Sequence, residues 1–432
     1  MGERNEVHPA SIIIPAWNGK EYIDDCLNSL LAQDYPDFEV IVVDNGSSDG
    51  TPDWVAEHFP AVTLIRNKKN LGFAGGVNVG LRAATGKILA LFNQDAVAEP
   101  GWLTSMANGL MASPDIGIAG CKIYYRDTEA IWHAGVRITK ERGQPVHRGD
   151  GEMDHGQYDD MAEMDAVTGA AMAIRRDALN DIGLLDEDYF LYFEDTDICL
   201  RARAADYRVV YLPRAVIHHH VAGSLKPGSV PTLRYYHLSR LLFLLKHFNA
   251  DWFESQFFPA EASWLNEGLA LPEYRLIREV YLSTMSGLIQ NIRPYEFAQQ
   301  RFDADQRQIV VDTLSRLTEA VIEAIQIEPG ERFWLLGKET GDWWEVKERP
   351  FTSSVPVLGP LFARFRQAWN NVAARWYVRG LLVQQLEINR RLVFAVEMHN
   401  RLLQDLNRDV VSLHRSIARL RAEQDPQDQE VP

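Results

Sequence analysis

Cysteine is scarce in this 432-residue sequence: Cys26, Cys121 and Cys199 lie far apart and form no CxxC pair. That excludes a disulfide framework and a zinc knuckle, and it fits a reducing compartment. Long apolar runs are also missing. The best candidate span, LLFLL at 241–245, falls far short of the ~20 residues that cross a bilayer, and the opening MGERNEVHPAS has no apolar signal core. The expected location is therefore cytoplasmic, with any membrane contact peripheral at the inner face of the cell membrane. Positive charge is outweighed, with 44 Lys and Arg against 60 Asp and Glu and a formal net charge of -16. A broad footprint for nucleic acid is excluded on that balance. What the chain does have is apolar content, 46% of it, over a length suited to about two to three domains with a substantial core.

The first half alternates buried-strand runs with helical spacing, the mark of an α/β domain. SIIIPAW, FEVIVVD, VTLIRN and KILALFN read as strands. KEYIDDCLNSLLAQ, the segment after Thr51 and GGVNVGLRAAT read as helices. Continuous Val, Ile and Leu runs predict a mostly parallel sheet covered on both faces, and ligands gather at the carboxyl ends of such strands. Trp17, Asp44, Asn67 and Asp95 are expected around one crevice there. Between residues 100 and 250 the pattern loosens, and RGQPVHRGDGEMDHGQYDDMAEMD reads as a long surface loop, a kind that often carries function.

Three strand ends carry chemistry. VVDNGSSDGT puts Asp44 before small polar residues whose amides can meet a base, ribose or phosphate, although Ser47, Ser48 and Asp49 also suit ordinary turn and capping roles. NKKNLGFAGGVNVG is a glycine-rich helix entry without the G-x-G-x-x-G spacing of a dinucleotide site, which disfavours a nicotinamide oxidoreductase. Close helix packing is its bland alternative. FNQDA ends a buried strand on Asp95; beside a diphosphate, that carboxylate would need a hard divalent cation between the two anions, Mg2+ or Mn2+.

Together SIIIPAWNG, VVDNGSSDGT, NLGFAGGVNVG and FNQDA, in that order, resemble the inverting nucleotide-sugar glycosyltransferases of family 2 with the GT-A fold. VTGAAMAIRRDAL, GLLDEDYFLYFEDTDICLRARAADYRVVYLP and AVIHHHVAGS are similar to the acceptor-side motifs of that family, most closely its rhamnosyltransferase-type members. The resemblance covers residues 10 to 250. It implies a GT-A, Rossmann-like sheet flanked by helices and a nucleotide site formed by Pro15, Ala16, Trp17, Asp44, Asn70, Gly72, Phe73, Ala74, Asn78 and Asn93. Asp95 would be a metal ligand, but position 93 is Asn where the usual motif has Asp. Asn93 could ligate through its carbonyl, His219 could supply a further ligand, or the metal dependence could be looser. In YFEDTD, Asp195 is the implied catalytic base, Glu194 its rival and Asp197 a group that orients or caps the helix. An acidic cluster is also what a helix N-terminus favours electrostatically. Gly169 and Ala170 are implied on the acceptor side, where Gly169 could instead relieve a packing contact, and the His218–His220 run could be a polar strand edge.

The implied function is metal-assisted transfer of a sugar, rhamnose among the candidates, from a nucleoside diphosphate to a hydroxyl of a glycan or lipid-linked saccharide in envelope polysaccharide synthesis. The alternative is a catalytically silent nucleotide-sugar-binding or assembly protein. The expected domains are a GT-A domain over 8–250, a helical extension over 251–328, a hairpin and linker over 329–360, and long amphipathic helices over 361–424. That last stretch carries eleven Arg from 361 to 421 against four acids. From Leu403 to Leu420 apolar residues alternate three and four apart, a coiled-coil seam that suits either a homodimer or self-packing. Upstream, Arg mixes with Phe362, Phe365, Trp369, Trp376 and Tyr377, which suits either an anionic membrane interface or a core.

Overall fold

The continuous aliphatic runs become the centre of a ten-stranded sheet because side chains that alternate faces are apolar on both. In β1 (Ala10–Ala16), Ile12 and Ile14 face one way and Ile13 the other, and all three are buried. β2 (Phe38–Asp44) and β4 (Ile88–Phe92) flank β1 in parallel, and β3 (Thr63–Arg66) adds in parallel outside β2. The computed structural model describes residues 7–220, 230–267 and 302–324.

Beyond β4 the direction changes. β11 (Ala171–Arg175) runs antiparallel between β4 and β6 (Ile116–Tyr125), and β12 (Arg208–His219) lies parallel to β6. β10 (Ala162–Glu163) closes that edge, β7 (Ile131–His133) pairs with β6, and β5 (Ala96–Ala98) pairs with the far end of β12. The expectation of a mostly parallel sheet holds for its first half, and the second half is mixed.

Two apolar cores sit on the sheet's two faces. One joins α1 (Ile23–Leu31), α2 (Thr51–His58) and α4 (Trp102–Met111) to Ile12, Ile14, Val40, Val42 and Phe92. The other joins α3 (Gly72–Ala83), α5 (Arg176–Ile182) and α6 (Glu194–Ala204) to Ile13, Ile41, Val43 and Leu91. Pro52 in the first turn of α2 fits there because that position needs no backbone donor.

A third core is helical. α7 (Val230–His247), α8 (Ala250–Trp252), a π-helical stretch at Phe253–Phe257, α9 (Phe258–Glu267) and α10 (Ala304–Ala324) contribute Leu241, Phe243, Phe253, Phe257, Leu265 and Leu314. Tyr189 and Phe193, which come from the α/β part of the chain, are buried in this same cluster. The core thus runs continuously across the boundary expected at 250. Buried Arg240 on α7 forks onto Glu261 of α9 at 2.6 and 2.8 Å, and Arg142 adds a 2.8 Å bond to the same carboxylate. Burial alone would raise the Glu261 pKa, but the two guanidiniums outweigh it and bring it down to about 2.

The surface loop at 142–165 is pinned near its start and again within its second half. β8 (Val136–Ile138) and β9 (Pro145–His147) form a small antiparallel pair, and Lys122, buried on β6, donates to Asp154 at 2.7 Å and Asp159 at 2.6 Å. The expected hairpin at 329–360, the helices at 361–424, their coiled-coil seam and the aromatic-arginine stretch lie outside the described residues. Among the described residues, no helix is long and apolar enough to cross a membrane.

Candidate active site

Strand ends build the first flank of the site. At the tip of β4, Gln94 clamps the backbone of Trp17: its Oε1 accepts from Trp17 N and its Nε2 donates to Trp17 O, both at 3.0 Å. β5 pairs with β12 so that His219 stands opposite Ala96, next to Asp95. His219 Nε2 then lies 3.1 Å from Asp95 Oδ1 and 3.3 Å from the amide of Asn93, in a pocket where Asp95 and His219 are 7% and 5% exposed. The His219 ring is set by packing against Trp132, with centroids 4.7 Å apart. Its Nδ1 is buried with no hydrogen-bond partner.

Next to this flank the β1 and β2 loops are sewn together. Asn18 N donates to Ser47 Oγ, Ser48 N to Asn18 Oδ1, and Gly19 N to Thr51 Oγ1, at 2.8 to 3.0 Å. Asp44, buried at the end of β2, accepts from Ser47 N at 3.3 Å. Asn45 is the hub: its Nδ2 donates to Asn70 Oδ1 and Gly72 O, and its Oδ1 accepts from Asn67 and the backbone of Leu71. Asn70 Oδ1 also accepts from Gly72 N at 2.8 Å. Gly72 has φ +78°, and a Cβ there would meet the Phe190 carbonyl oxygen at 2.4 Å. Only glycine suits that position.

Two of the expected nucleotide residues sit elsewhere. Asn78 is buried, and its amide donates to Leu185 O and Glu187 and accepts from Leu185 N, so it joins α3 to the segment before α6 with both of its donors already used. Ala74 is fully buried in the core beneath α3. Both displacements follow from the helix periodicity, which turns these positions toward the sheet and the 185–187 segment.

The second flank stands at the start of α6. Tyr192 and Phe193 both have φ of 70°, a left-handed pair that is costly for bulky residues and recurs at functional turns. Directly after it, Asp195 Oδ2 accepts from Gly169 N at 2.9 Å and Oδ1 accepts from Thr196 N at 2.6 Å, which fixes the carboxylate plane. The space that a Cβ at Gly169 would need is bounded by Phe73 at 3.2 Å and Asp195 at 3.4 Å, so the glycine serves this packing contact.

Glu194 and Asp197 diverge from their neighbour. Glu194 is buried with an unpartnered Oε2, and burial, reinforced by Asp195, pushes its pKa well up. Both Glu194 and Asp195 line the cavity, and of the two it is Asp195 whose oxygens accept from the backbone of Gly169 and Thr196. Asp197 has a fully buried side chain bonded to Arg201 at 2.8 Å, Lys246 at 2.7 Å and His247 at 2.8 Å. Burial opposes its ionisation, but the His247 hydrogen bond and the Arg201 and Lys246 charges hold its pKa far below the usual range. Asp197 therefore docks α6 onto the end of α7, a partnership 50 residues away that no local pattern reveals.

The two flanks share one cavity of about 500 Å3, lined among others by Asn93, His147, Gly169, Asp195, His219 and Tyr236. His147 and Trp132 in this lining are site residues that sequence reasoning missed. The long His- and Gly-rich loop was the only signal for His147, and Trp132 had none.

Residues 11–183 match the family model described as Glycosyl transferase family 2. Among curated proteins, the uncharacterized protein y4gI of Sinorhizobium fredii is 33% identical over 239 residues, which cover 52% of this chain and 26% of that protein. The chain thus spans about a quarter of that relative's length. The N-acetylglucosaminyl-diphospho-decaprenol L-rhamnosyltransferase of Mycobacterium tuberculosis is 25% identical over 307 residues, 62% of this chain and 92% of that protein. Among solved structures, the mannosyltransferase PcManGT from Pyrobaculum calidifontis, in complex with GDP-Man and Mn2+, aligns with a TM-score of 0.43 at 21% identity over 74% of this chain and 88% of that one.

Proposed function

Residues 11–183 are a glycosyl transferase family 2 domain, and from that premise we propose that the chain is an inverting glycosyltransferase. It would move a sugar from a nucleoside diphosphate to a hydroxyl of a glycan or lipid-linked saccharide. The observation that supports this most is the shared cavity, with Asp195 on one wall and His219, hydrogen-bonded to Asp95, on another. The rhamnosyltransferase relative makes rhamnose and a polyprenyl-diphosphate saccharide the first pair to try, in envelope polysaccharide synthesis.

Inversion needs the acceptor oxygen to attack the anomeric carbon from the face opposite the departing diphosphate. Asp195 accepts the hydroxyl proton as that bond forms and the bond to the diphosphate breaks. Its two backbone donors, Gly169 N and Thr196 N, hold the carboxylate in one orientation for the transfer. Gln94, Asn45 and the β1 and β2 loops keep the nucleotide cradle in place.

The donor set also fits a hard divalent cation. Asp95 offers a carboxylate oxygen, His219 an imidazole nitrogen and Asn93 an amide that could turn its oxygen inward, with His219 Nε2 within hydrogen-bond distance of the other two. The His219 nitrogen cannot at once donate to Asp95 and accept from Asn93, a conflict that a cation would remove. Among the described residues, no three His, Cys, Asp or Glu gather to hold a metal alone. Mg2+ or Mn2+ held by Asp95 and His219, with the diphosphate completing its shell, suits that count. When bound, the cation would neutralise charge on the departing diphosphate.

Thermal-shift and product assays with dTDP-, UDP- and GDP-sugars, with Mg2+ or Mn2+, test the reading. A donor at 100 times its dissociation constant should stabilise the fold by about 2.7 kcal/mol, and sugar should be released to water or an acceptor. Binding without release would leave a catalytically silent nucleotide-sugar-binding protein.

A further inference from the structure

His147 lines the cavity, yet the transfer step above gives it no task. It arrives on β9, from the long loop, and its Nδ1 stands 3.3 Å from the carbonyl oxygen of Trp132. A carbonyl can only accept, so Nδ1 carries the hydrogen and Nε2 of the neutral ring keeps its lone pair. Edge-on packing against Trp132 at 4.9 Å and His133 at 4.7 Å holds the ring in that setting. Burial, partly offset by the nearby Asp195, lowers the His147 pKa and keeps the ring neutral. Asp195 and His219 both lie within electrostatic reach of it. The cavity that His147 lines has aromatic walls, with Trp132, Tyr192 and Tyr236 among them, surfaces suited to the apolar face of a pyranose ring.

We propose that His147 is an acceptor-binding residue: its Nε2 accepts a hydrogen bond from a second hydroxyl of a saccharide acceptor, beside the hydroxyl that reacts. This rests on the transferase reading and narrows it, since the group next to the new linkage is then itself a sugar. No bond is made or broken at His147, and the reacting hydroxyl's proton goes to Asp195. Selection against water follows because water offers no second hydroxyl to be held against the aromatic walls.

The test uses the full chain with Mn2+, dTDP-L-rhamnose and an octyl N-acetylglucosaminide as the acceptor probe, with the UDP- and GDP-sugars as further donors. Hydrolysis of the donor and transfer to the glycoside are measured side by side. In His147→Phe, transfer should fall roughly 10- to 100-fold, mainly as a raised acceptor KM, while hydrolysis and the nucleotide-induced thermal shift stay at the wild-type level. His147→Gln, whose amide oxygen can accept the same bond, should recover part of the loss. Undiminished transfer in His147→Phe, or hydrolysis falling in step with transfer, would overturn the assignment. A wild-type chain that neither hydrolyses nor transfers any of these donors would instead overturn the transferase reading, and the role of His147 with it.

Discussion

The two flanks of the cavity are held in place by different physics. Asp95 and His219 are fixed by strand register: the pairing of the short β5 with the end of β12 leaves them side by side. Asp195 stands after a left-handed Tyr192–Phe193 pair and at the start of a helix whose docking depends on Lys246 and His247 of α7. The first flank is built into the sheet, whereas the second is tensioned from outside it. Within that second flank, three carboxyls in one helical turn have three fates: Asp195 lines the cavity with its oxygens held by backbone donors, Glu194 lines it too but is buried without a partner charge, and Asp197 is buried among cations. Sequence spacing alone would treat them alike, and packing separates them.

Substitutions can break this contrast in a graded way. Asp195→Asn should have the largest effect, lowering turnover roughly 10² to 10⁴-fold while calorimetry finds nucleotide affinity nearly intact; turnover within threefold of wild type would remove Asp195 from the mechanism. Asp197→Ala should come next, destabilising the fold by about 3 kcal/mol, at the low end for a buried pair because its partners keep part of their surface in water. Asp197 has a depressed folded-state pKa, so its contribution is present above the unfolded value and is lost as pH falls toward the folded one. Denaturant melts should show the variant missing that part of the acid dependence, with donor binding better preserved than activity.

Asp95→Ala attacks the other flank. It should weaken cation-dependent donor binding by roughly 10- to 100-fold, as changes around a metal typically do, and leave the fold near its wild-type melting temperature; titration calorimetry with and without Mn2+ would show an unchanged cation dependence if Asp95 had no such part. Glu194→Gln should do least, since an amide of the same shape replaces a carboxyl whose charged form burial already disfavours. The raised pKa means wild-type stability declines as pH climbs from the unfolded value of Glu toward the folded one. The Gln variant should flatten that decline while turning over near the wild-type rate. A Glu194→Gln enzyme as crippled as Asp195→Asn would reverse the assignment of the two carboxyls.

What could be read from the sequence was what is local. The strands, the glycine turn and the strand-end carboxylates Asp44 and Asp95 announce themselves within a few residues, because period and turn chemistry are short-range. The nearness of His219 to Asp95 needs pairing of strands 124 positions apart, and the family resemblance, not the spacing, pointed to it. Asn78 shows the opposite failure: it lies inside a binding-type motif, yet the helix turns it onto Leu185 and Glu187. Asn45 and His147 went unnoticed because their roles come from partners brought together only by the fold: Gly72 and Leu71 for one, the Trp132 carbonyl for the other.

The pin between Asp197 and the last turn of α7 bears on how short a working version of this protein could be. The stretch that carries the family signature stops at 183, ahead of Asp195, the proton acceptor proposed above, and the side chains that steady its helix arrive only at 246 and 247. On the proposed reading, a gene trimmed to the recognisable part would encode the strand-end loops without the carboxylate that takes the proton. The smallest self-sufficient version has to keep α7, and with it the buried Arg240–Glu261 clasp that ties α7 to α9.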